Sequence, residues 1–533
     1  MKSPQEGKLK SAKEQELIAG NFLSEKCRQE KIVIYQILTR LFGNKKSANI
    51  PFGTIDENGV GKFDDINDRA LSSLADLGIT HIWYTGIIEH AVVSNYRKYG
   101  IFPDHPAVVK GRAGSPYAIK DYYDVNPDLA NQVEKRMAEF DALIKRTHDH
   151  QLRVIIDFVP NHVARKYSSD AKPGGIRDPG QDDDTALGFS PGNNFYYLPD
   201  ESFKVPAGYT PVGLYHELPG NAGHFIEKPA KVSGNNVFKS QPGIDDWFDT
   251  VKLNYGVDYA NGERKYFNPI PDTWIKMRDV LLFWTAKNVD GFRCDMAGMV
   301  PVEFWEWVIP QVKEKNEHII FIAEIYKPEQ FHAYLNQGKF DFIYDKIHFY
   351  DPLKQIVQKK ATTPVITESW KSLKGINHNM LRYLENHDEQ RIGSSFFAGN
   401  AFKALPAMAV ISFMSNNPVM IYFGQEVGEP GEGVAGFSGE DGRTTIFDYW
   451  GVPSHQKWMN GGKFDGGKLD EQELKLRNSY KQILNICISH PVIREGDFFD
   501  LYSYNASLGN ITGDQLYYFL RFTENRNLFV IVN

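Results

Sequence analysis

The 533-residue sequence contains only three cysteines, Cys27, Cys294 and Cys487. They stand far apart with no C-x-x-C pair, which argues against a metal knuckle or a dithiol redox motif and leaves three reduced, buried thiols as the expectation. No stretch approaches the roughly eighteen consecutive apolar residues of a membrane-spanning helix. The first thirty residues, MKSPQEGKLKSAKEQELIAGNFLSEKCRQE, lack an apolar h-region. No signal peptide is therefore visible and a cytoplasmic protein is expected, although a secreted or periplasmic chain trimmed of its leader would read the same. A basic excess is missing too: 60 Lys and Arg against 67 Asp and Glu give a net charge of −7. That balance argues against nucleic acid or an anionic membrane as partner. Internal repeats and low-complexity tracts are also absent. What is present is 42% hydrophobic and 13% aromatic residues. This composition supplies a large core and excludes a disordered, fibrous or small disulfide-stapled chain. A neutral ligand fits most easily.

Short apolar runs alternate with amphipathic stretches along most of the chain. KIVIYQIL (31–38), GITHIWYTG (78–86), LRVIIDFV (152–159), VDGFRCD (289–295), HIIFIAEIY (318–326), FDFIYD (340–345), MLRYLENHD (380–388) and PVMIYFGQE (418–426) read as eight strands. Helices are expected over 63–77, stopped by Gly78, over 131–150 and 272–288, and near 472–488. Eightfold strand–helix alternation predicts an α/β fold of the (β/α)8 TIM-barrel class, with a doubly wound open sheet as the alternative. Two regions break the rhythm. Residues 163–270 are rich in Gly, Pro, Asn and Asp, and a structureless loop of that length is improbable, so an inserted domain after the third strand is expected. From 489 the pattern turns to alternating strands, FFDLYSY, LYYFLRF and LFVIVN. That reads as the start of a C-terminal antiparallel β-domain over 489–533, incomplete at Asn533. The barrel then comprises 1–162 and 271–488.

Polar residues gather at the predicted strand ends: Asp157 to His162, Gly291 to Asp295, Ala323-Glu324 and Asn386-His387-Asp388. In a barrel these ends meet at one face, where the βα loops build the site. A single carboxylate there is more often a helix cap or ion-pair partner. Three of them with one Arg and two His are what retaining glycoside hydrolysis requires. One carboxylate attacks the anomeric carbon, and a second, about 5–5.5 Å away, protonates the leaving oxygen and then activates water. A third anion binds sugar hydroxyls and stabilises the developing positive charge. Asp157 is read as structural. His148 and His150, at i and i+2, do not share a helix face and are not a metal pair. Trp83, Trp247, Trp274 and Trp305 are candidate sugar platforms, with packing in the interior the expectation for most of them.

D-x-V-x-N-H at 157–162, G-F-R-x-D at 291–295, the strand-end Glu324 and N-H-D at 386–388 resemble, in order, the signature regions of the α-amylase family of glycoside hydrolases. SPYAIKDYYDV (115–125), VKLNYG (251–256) and PVMIYFGQEVG (418–428) extend the resemblance over about 31–490. It implies Asp295 as nucleophile, Glu324 as general acid/base and Asp388 as transition-state stabiliser. It also implies Arg293 as the partner that holds Asp295 ionised, His162 and His387 as donors to the sugar, and Tyr117 as the ring beneath it. Asn161 resembles a calcium ligand of some members, so a structural calcium is implied as possible; no cofactor is required for the chemistry.

Three departures limit the substrate reading. Met296-Ala297-Gly298-Met299 follow Asp295 where calcium-dependent members carry a Lys-His pair. Lys62 ends a loop, Thr54 to Lys62, that resembles a second calcium loop, and a cation at that position repels a divalent ion unless its ammonium replaces the metal's charge. Glu389-Gln390-Arg391 form a variant tail after Asp388. The expected function is a retaining glycosidase of starch-like α-glucans or maltooligosaccharides, most simply with α-1,4 bonds. The alternatives are a transglycosylase, maltosyltransferase-like or sucrose- or trehalose-handling, and a non-catalytic carbohydrate-binding protein on the same barrel, since fold does not fix function. The sequence leaves the oligomeric state open.

Overall fold

A computed structural model describes residues 22–23, 30–211, 225–509 and 514–533. Cys27 and most of the first thirty residues, on which the reading of no signal peptide rests, lie outside these; Cys294 and Cys487 are buried free thiols. Eight parallel strands close on themselves: β1 (Val33–Leu38), β2 (His81–Thr85), β3 (Arg153–Phe158), β4 (Gly291–Cys294), β5 (Ile320–Ala323), β6 (Phe342–Tyr344), β7 (Met380–Tyr383) and β8 (Val419–Tyr422). β1 pairs with both β2 and β8, which rules out the open sheet. Every residue of β1, β2, β4, β7 and β8 is buried, as parallel strands covered on both faces must be. Gly291 is required by close approach: a Cβ there would lie 2.6 Å from Cγ1 of Ile320 on the neighbouring strand.

The eight predicted strands are all present but shorter than the apolar runs. The run 380–388 ends as a strand at Tyr383, and the Asn386 side chain accepts from the backbone N–H of Asp388 at 2.8 Å, turning the chain into a loop. At 418–426 the strand stops at Tyr422, before left-handed Gly424 (φ 87°). The helix expected from Phe63 begins at Asp68, because Asn67 caps it by accepting from the N–H groups of Arg69 and Ala70, and Phe63–Asp65 is a separate 3-10 turn. Gly78 ends it at φ 100°. The other predicted helices span Arg136–Asp149, Asp272–Ala286 and Glu471–Ser489.

After β3 the chain leaves the barrel. His162–Ala164 pairs antiparallel with Thr250–Lys252, and Tyr197–Leu198 with Ala230–Lys231. Phe203, Phe225 and Ala230 of this segment form a small apolar cluster with Ala107 and Val108 of the β2–β3 connection. At the C-terminus, Asp497–Phe499, Tyr517–Phe522 and Asn527–Val532 form an antiparallel sheet, joined at its edge by Phe22–Leu23. FFDLYSY is not one strand: Asp500 accepts from the N–H of Ser503 and starts a helix over Leu501–Ser507. A helix N-cap overrides the apolar alternation there.

Candidate active site

The strand ends of the barrel meet around one buried guanidinium. Arg293 on β4 donates from Nη1 to Oδ1 of Asp295 at 2.9 Å and to Oδ1 of Asp157 at 3.2 Å, and from Nε to the Tyr344 hydroxyl at 3.1 Å. Its Nη2 lies 2.8 Å from Oε2 of Glu324. Asp295 and Glu324 continue the ladders beyond β4 and β5: Asp295 N–H donates to the Phe158 carbonyl and Glu324 N–H to that of Cys294. Backbone pairing therefore fixes where both carboxyls start. Glu324 is further held by the Met296 N–H on Oε2 at 2.7 Å and the Tyr326 hydroxyl on Oε1 at 2.5 Å. Asp157 also accepts from Trp83 Nε1 at 3.1 Å. It anchors Arg293 in the floor of the site, a structural part played toward the site and not only toward its own loop.

A cavity of about 160 Å³ opens above these groups, lined by Asp295, Glu324 and Asp388 together with Tyr117, His162 and Trp247. Trp247 is therefore the one tryptophan of the four singled out that faces the site; Trp83, Trp274 and Trp305 are buried. His387 accepts from Gln36 Nε2 at Nδ1 (2.8 Å), so its proton is assigned to Nε2, which faces the Tyr117 hydroxyl at 2.6 Å and Oδ2 of Asp388 at 3.1 Å. His162 stands 3.9 Å from Oδ2 of Asp295 through Nε2. All seven sequence-predicted site residues other than Asn161 thus converge on one mouth. Sequence reasoning missed Gln36, Tyr326 and Tyr344. Gln36 and Tyr344 lie on barrel strands near the same face, and the strand-end rule that found Asp295 would also have found Tyr344.

Charge is unbalanced in this buried space. The Asp295 carboxyl is pushed well above the carboxylate range, first by burial and next by the negative Glu324, with Arg293 pulling it down. Arg293 therefore opposes, without cancelling, the burial that favours the neutral form of Asp295. For Asp388, desolvation in the cleft raises the carboxyl, but His387, Arg293 and Arg443 more than offset it and hold it at about 2. Burial, with Lys252 and Lys110 nearby, lowers His162 to about 3, so it is a neutral ring.

Asn161 does not line this mouth. Its Oδ1 accepts from the buried Lys252 ammonium, which also donates to the Met299 carbonyl at 3.1 Å. The Lys252 amine thus occupies the Asn161 oxygen, and among the described residues no carboxylate bonds to this set, so these residues do not fit a divalent metal. The Thr54–Lys62 loop does not fit one either: Glu57 is spent on the Thr54 N–H at 2.8 Å, and Lys62 Nζ donates to the Asp128 carbonyl at 2.5 Å.

The family profile "Alpha amylase, catalytic domain" matches residues 36–449. Alpha-amylase 3 of Dictyoglomus thermophilum is 21% identical over 492 residues, covering 87% of this chain and 78% of that one. A cyclomaltodextrin glucanotransferase of a Bacillus species is 23% identical over 419 residues, covering 74% of this chain and 49% of its own length. Among solved structures, a cyclic alpha-maltosyl-(1→6)-maltose hydrolase from Arthrobacter globiformis superposes with a TM-score of 0.60 at 17% identity, covering 94% of this chain and 90% of that one, which is a likeness of fold. With the profile spanning most of the chain and its barrel carrying the four motifs at one mouth, the chain belongs to the α-amylase family.

Proposed function

We propose that this enzyme is a retaining glycosidase of α-glucans, cleaving α-1,4 bonds of starch-like polymers or maltooligosaccharides. The observation that carries the reading is the shared clamp of Arg293 on Asp295 and Glu324, which sets two carboxyls from adjacent strands against one cavity. Arg293 occupies Oδ1 of Asp295, leaving Oδ2 to attack the anomeric carbon. The bond to the leaving oxygen breaks as a proton passes from the Glu324 carboxyl to that oxygen, giving a glucosyl ester on Asp295. Glu324, now a carboxylate, takes a proton from water, whose oxygen attacks the same carbon and frees Asp295. Asp388 and the Nε2–H of His387 bind sugar hydroxyls, and neutral His162 donates without adding charge beside Asp295. Tyr117 supplies the ring beneath the sugar.

A sugar hydroxyl can replace water in the second step with the same residues, so a transglycosylase is the second reading; the glucanotransferase relative favours keeping it. Maltoheptaose digestion, followed by proton NMR for anomeric configuration and chromatography for length, separates the two. Shorter oligomers released as the α-anomer support the hydrolase, and products longer than seven sugars move the assignment to transfer. Release of the β-anomer would refute the retaining mechanism.

A further inference from the structure

We propose that Glu89, Asp121 and Asp170 form a calcium-type divalent cation site that ties the ribbon between β2 and β3 to the segment inserted after β3. The ribbon consists of Ile88–His90 paired antiparallel with Ile119–Val125, and Glu89 and Asp121 are register partners in it, with irregular pairing on either side of Glu89. Direct partners share a face, so two like charges are set side by side, an arrangement that is unfavourable unless a cation joins them. The third carboxylate comes from the inserted segment: Asp170 and Ala171 donate their backbone N–H groups to Oδ2 of Asp121 at 2.9 and 3.2 Å, which brings the Asp170 side chain to the pair.

One carboxylate oxygen from each residue lies within 4.8 Å of those of the other two. Oxygens sharing a calcium ion at about 2.4 Å can be no farther apart than about this. The independent observation is Glu89 itself, which is 2% exposed and whose Oε2 is buried with no hydrogen-bond partner. A buried carboxylate is normally paired or metal-bound. Lys120 and Arg136 act on Glu89 only through space, since their hydrogen bonds go elsewhere: Lys120 to Asp104 at 3.0 Å and to the Phe102 carbonyl, and Arg136 to Asp124. Arg97 and Lys166 also line the cavity, but each lies over a phenylalanine ring, Phe102 and Phe225, at 5.3 Å. That cavity, about 440 Å³, is lined by Glu89 and Asp170 and has room for the waters that complete a sphere of about six to eight oxygens. Calcium suits such a partly hydrated, irregular set better than magnesium, which demands a near-ideal octahedron.

The test is calorimetric titration of the full chain, dialysed against chelator, with CaCl2, alongside its thermal midpoint. One calcium ion per chain at this site and a rise in the midpoint are expected. Glu89→Gln and Asp170→Asn should each weaken binding by about tenfold or more, and the double variant should abolish it. Asp170 is exposed, so its variant folds irrespective of how Glu89→Gln behaves. In chelator, Glu89→Gln should melt above the parent, because the unpaired buried carboxylate is gone, and calcium should reverse that order. No binding by the parent, unchanged affinity in both variants, or tighter binding of magnesium than calcium would overturn the proposal.

Discussion

Met296 donates its backbone N–H to Oε2 of Glu324 at 2.7 Å while held in the left-handed region at φ 44°, ψ 39°. The residue after the proposed nucleophile thus aims the proposed acid/base, from a conformation that L-residues avoid. Strain of this kind persists only where surrounding structure over-determines it, and it gathers at functional sites. The ladder bond of Asp295 on one side and the 3-10 turn Ala297–Met299 on the other supply that constraint.

Met296→Gly keeps the N–H and removes the left-handed penalty of about 1–2 kcal/mol, against about 0.5–1 kcal/mol of added backbone entropy in the unfolded chain. A thermal midpoint equal to or above the parent is expected, with kcat within about threefold because the donor remains. A lower midpoint together with lost turnover would show that the methionine side chain, and not the backbone, positions Glu324.

Asp295→Asn is expected to lower turnover by about 10⁴-fold or more while raising stability at neutral pH. Burial and Glu324 raise the folded-state value of this carboxyl above the unfolded value of about 3.9. The folded state therefore binds a proton that the unfolded chain has released, and the group's favourable contribution, full below about 4, is lost as pH rises through the raised folded value. The midpoint difference between variant and parent should thus widen from pH 4 to pH 7. A difference that shrinks over this window contradicts the raised carboxyl.

Glu324→Gln should slow maltoheptaose cleavage by about 10²–10⁴-fold, the usual weight of a general acid. With α-glucosyl fluoride, whose leaving group needs no proton, the first turnover should stay near the parent rate. Stopped-flow fluoride release checks this, and an equal loss on both substrates would remove Glu324 from the acid role.

Tyr117→Phe and Tyr117→Ala separate the ring from its hydroxyl. The hydroxyl meets His387 Nε2 at 2.6 Å, and losing one such bond is worth about 0.5–1.5 kcal/mol, or about 2–13-fold in kcat/KM. Removing the ring as well should lower kcat/KM by about 100-fold, chiefly through KM, if the aromatic face carries the sugar. Equal effects would leave stacking without support.

Gln36→Leu removes the donor that fixes the His387 tautomer. Loss of such an orienting partner typically lowers activity by about 10–100-fold. The thermal midpoint should stay within a few degrees of the parent, since the change is confined to one hydrogen bond. A rate drop accompanied by a large loss of midpoint would point to misfolding instead of a lost orientation of His387.

Much of this was legible in the linear chain. The eight apolar runs predict eight strands because a barrel strand is buried on both faces and must be apolar throughout, and the carboxylates directly after those runs mark the mouth because backbone ladders carry residues such as Asp295 and Glu324 to the strand ends. The sequence could not place Gln36, which looks like any polar residue inside an apolar run until β1 sets it beside His387. Nor could it tell that the LYSY of FFDLYSY would yield to an Asp500 cap, since alternation and capping compete locally and long-range packing decides. Tertiary structure alone sent Lys252, 91 residues from Asn161, to the oxygen a metal would have used. It alone set Glu89 against Asp121 and Asp170. Composition and spacing determine which side chains are available to a site. Electrostatic partnership is settled only when the fold brings distant charges within a few ångströms of one another, where the interaction greatly exceeds its value in water.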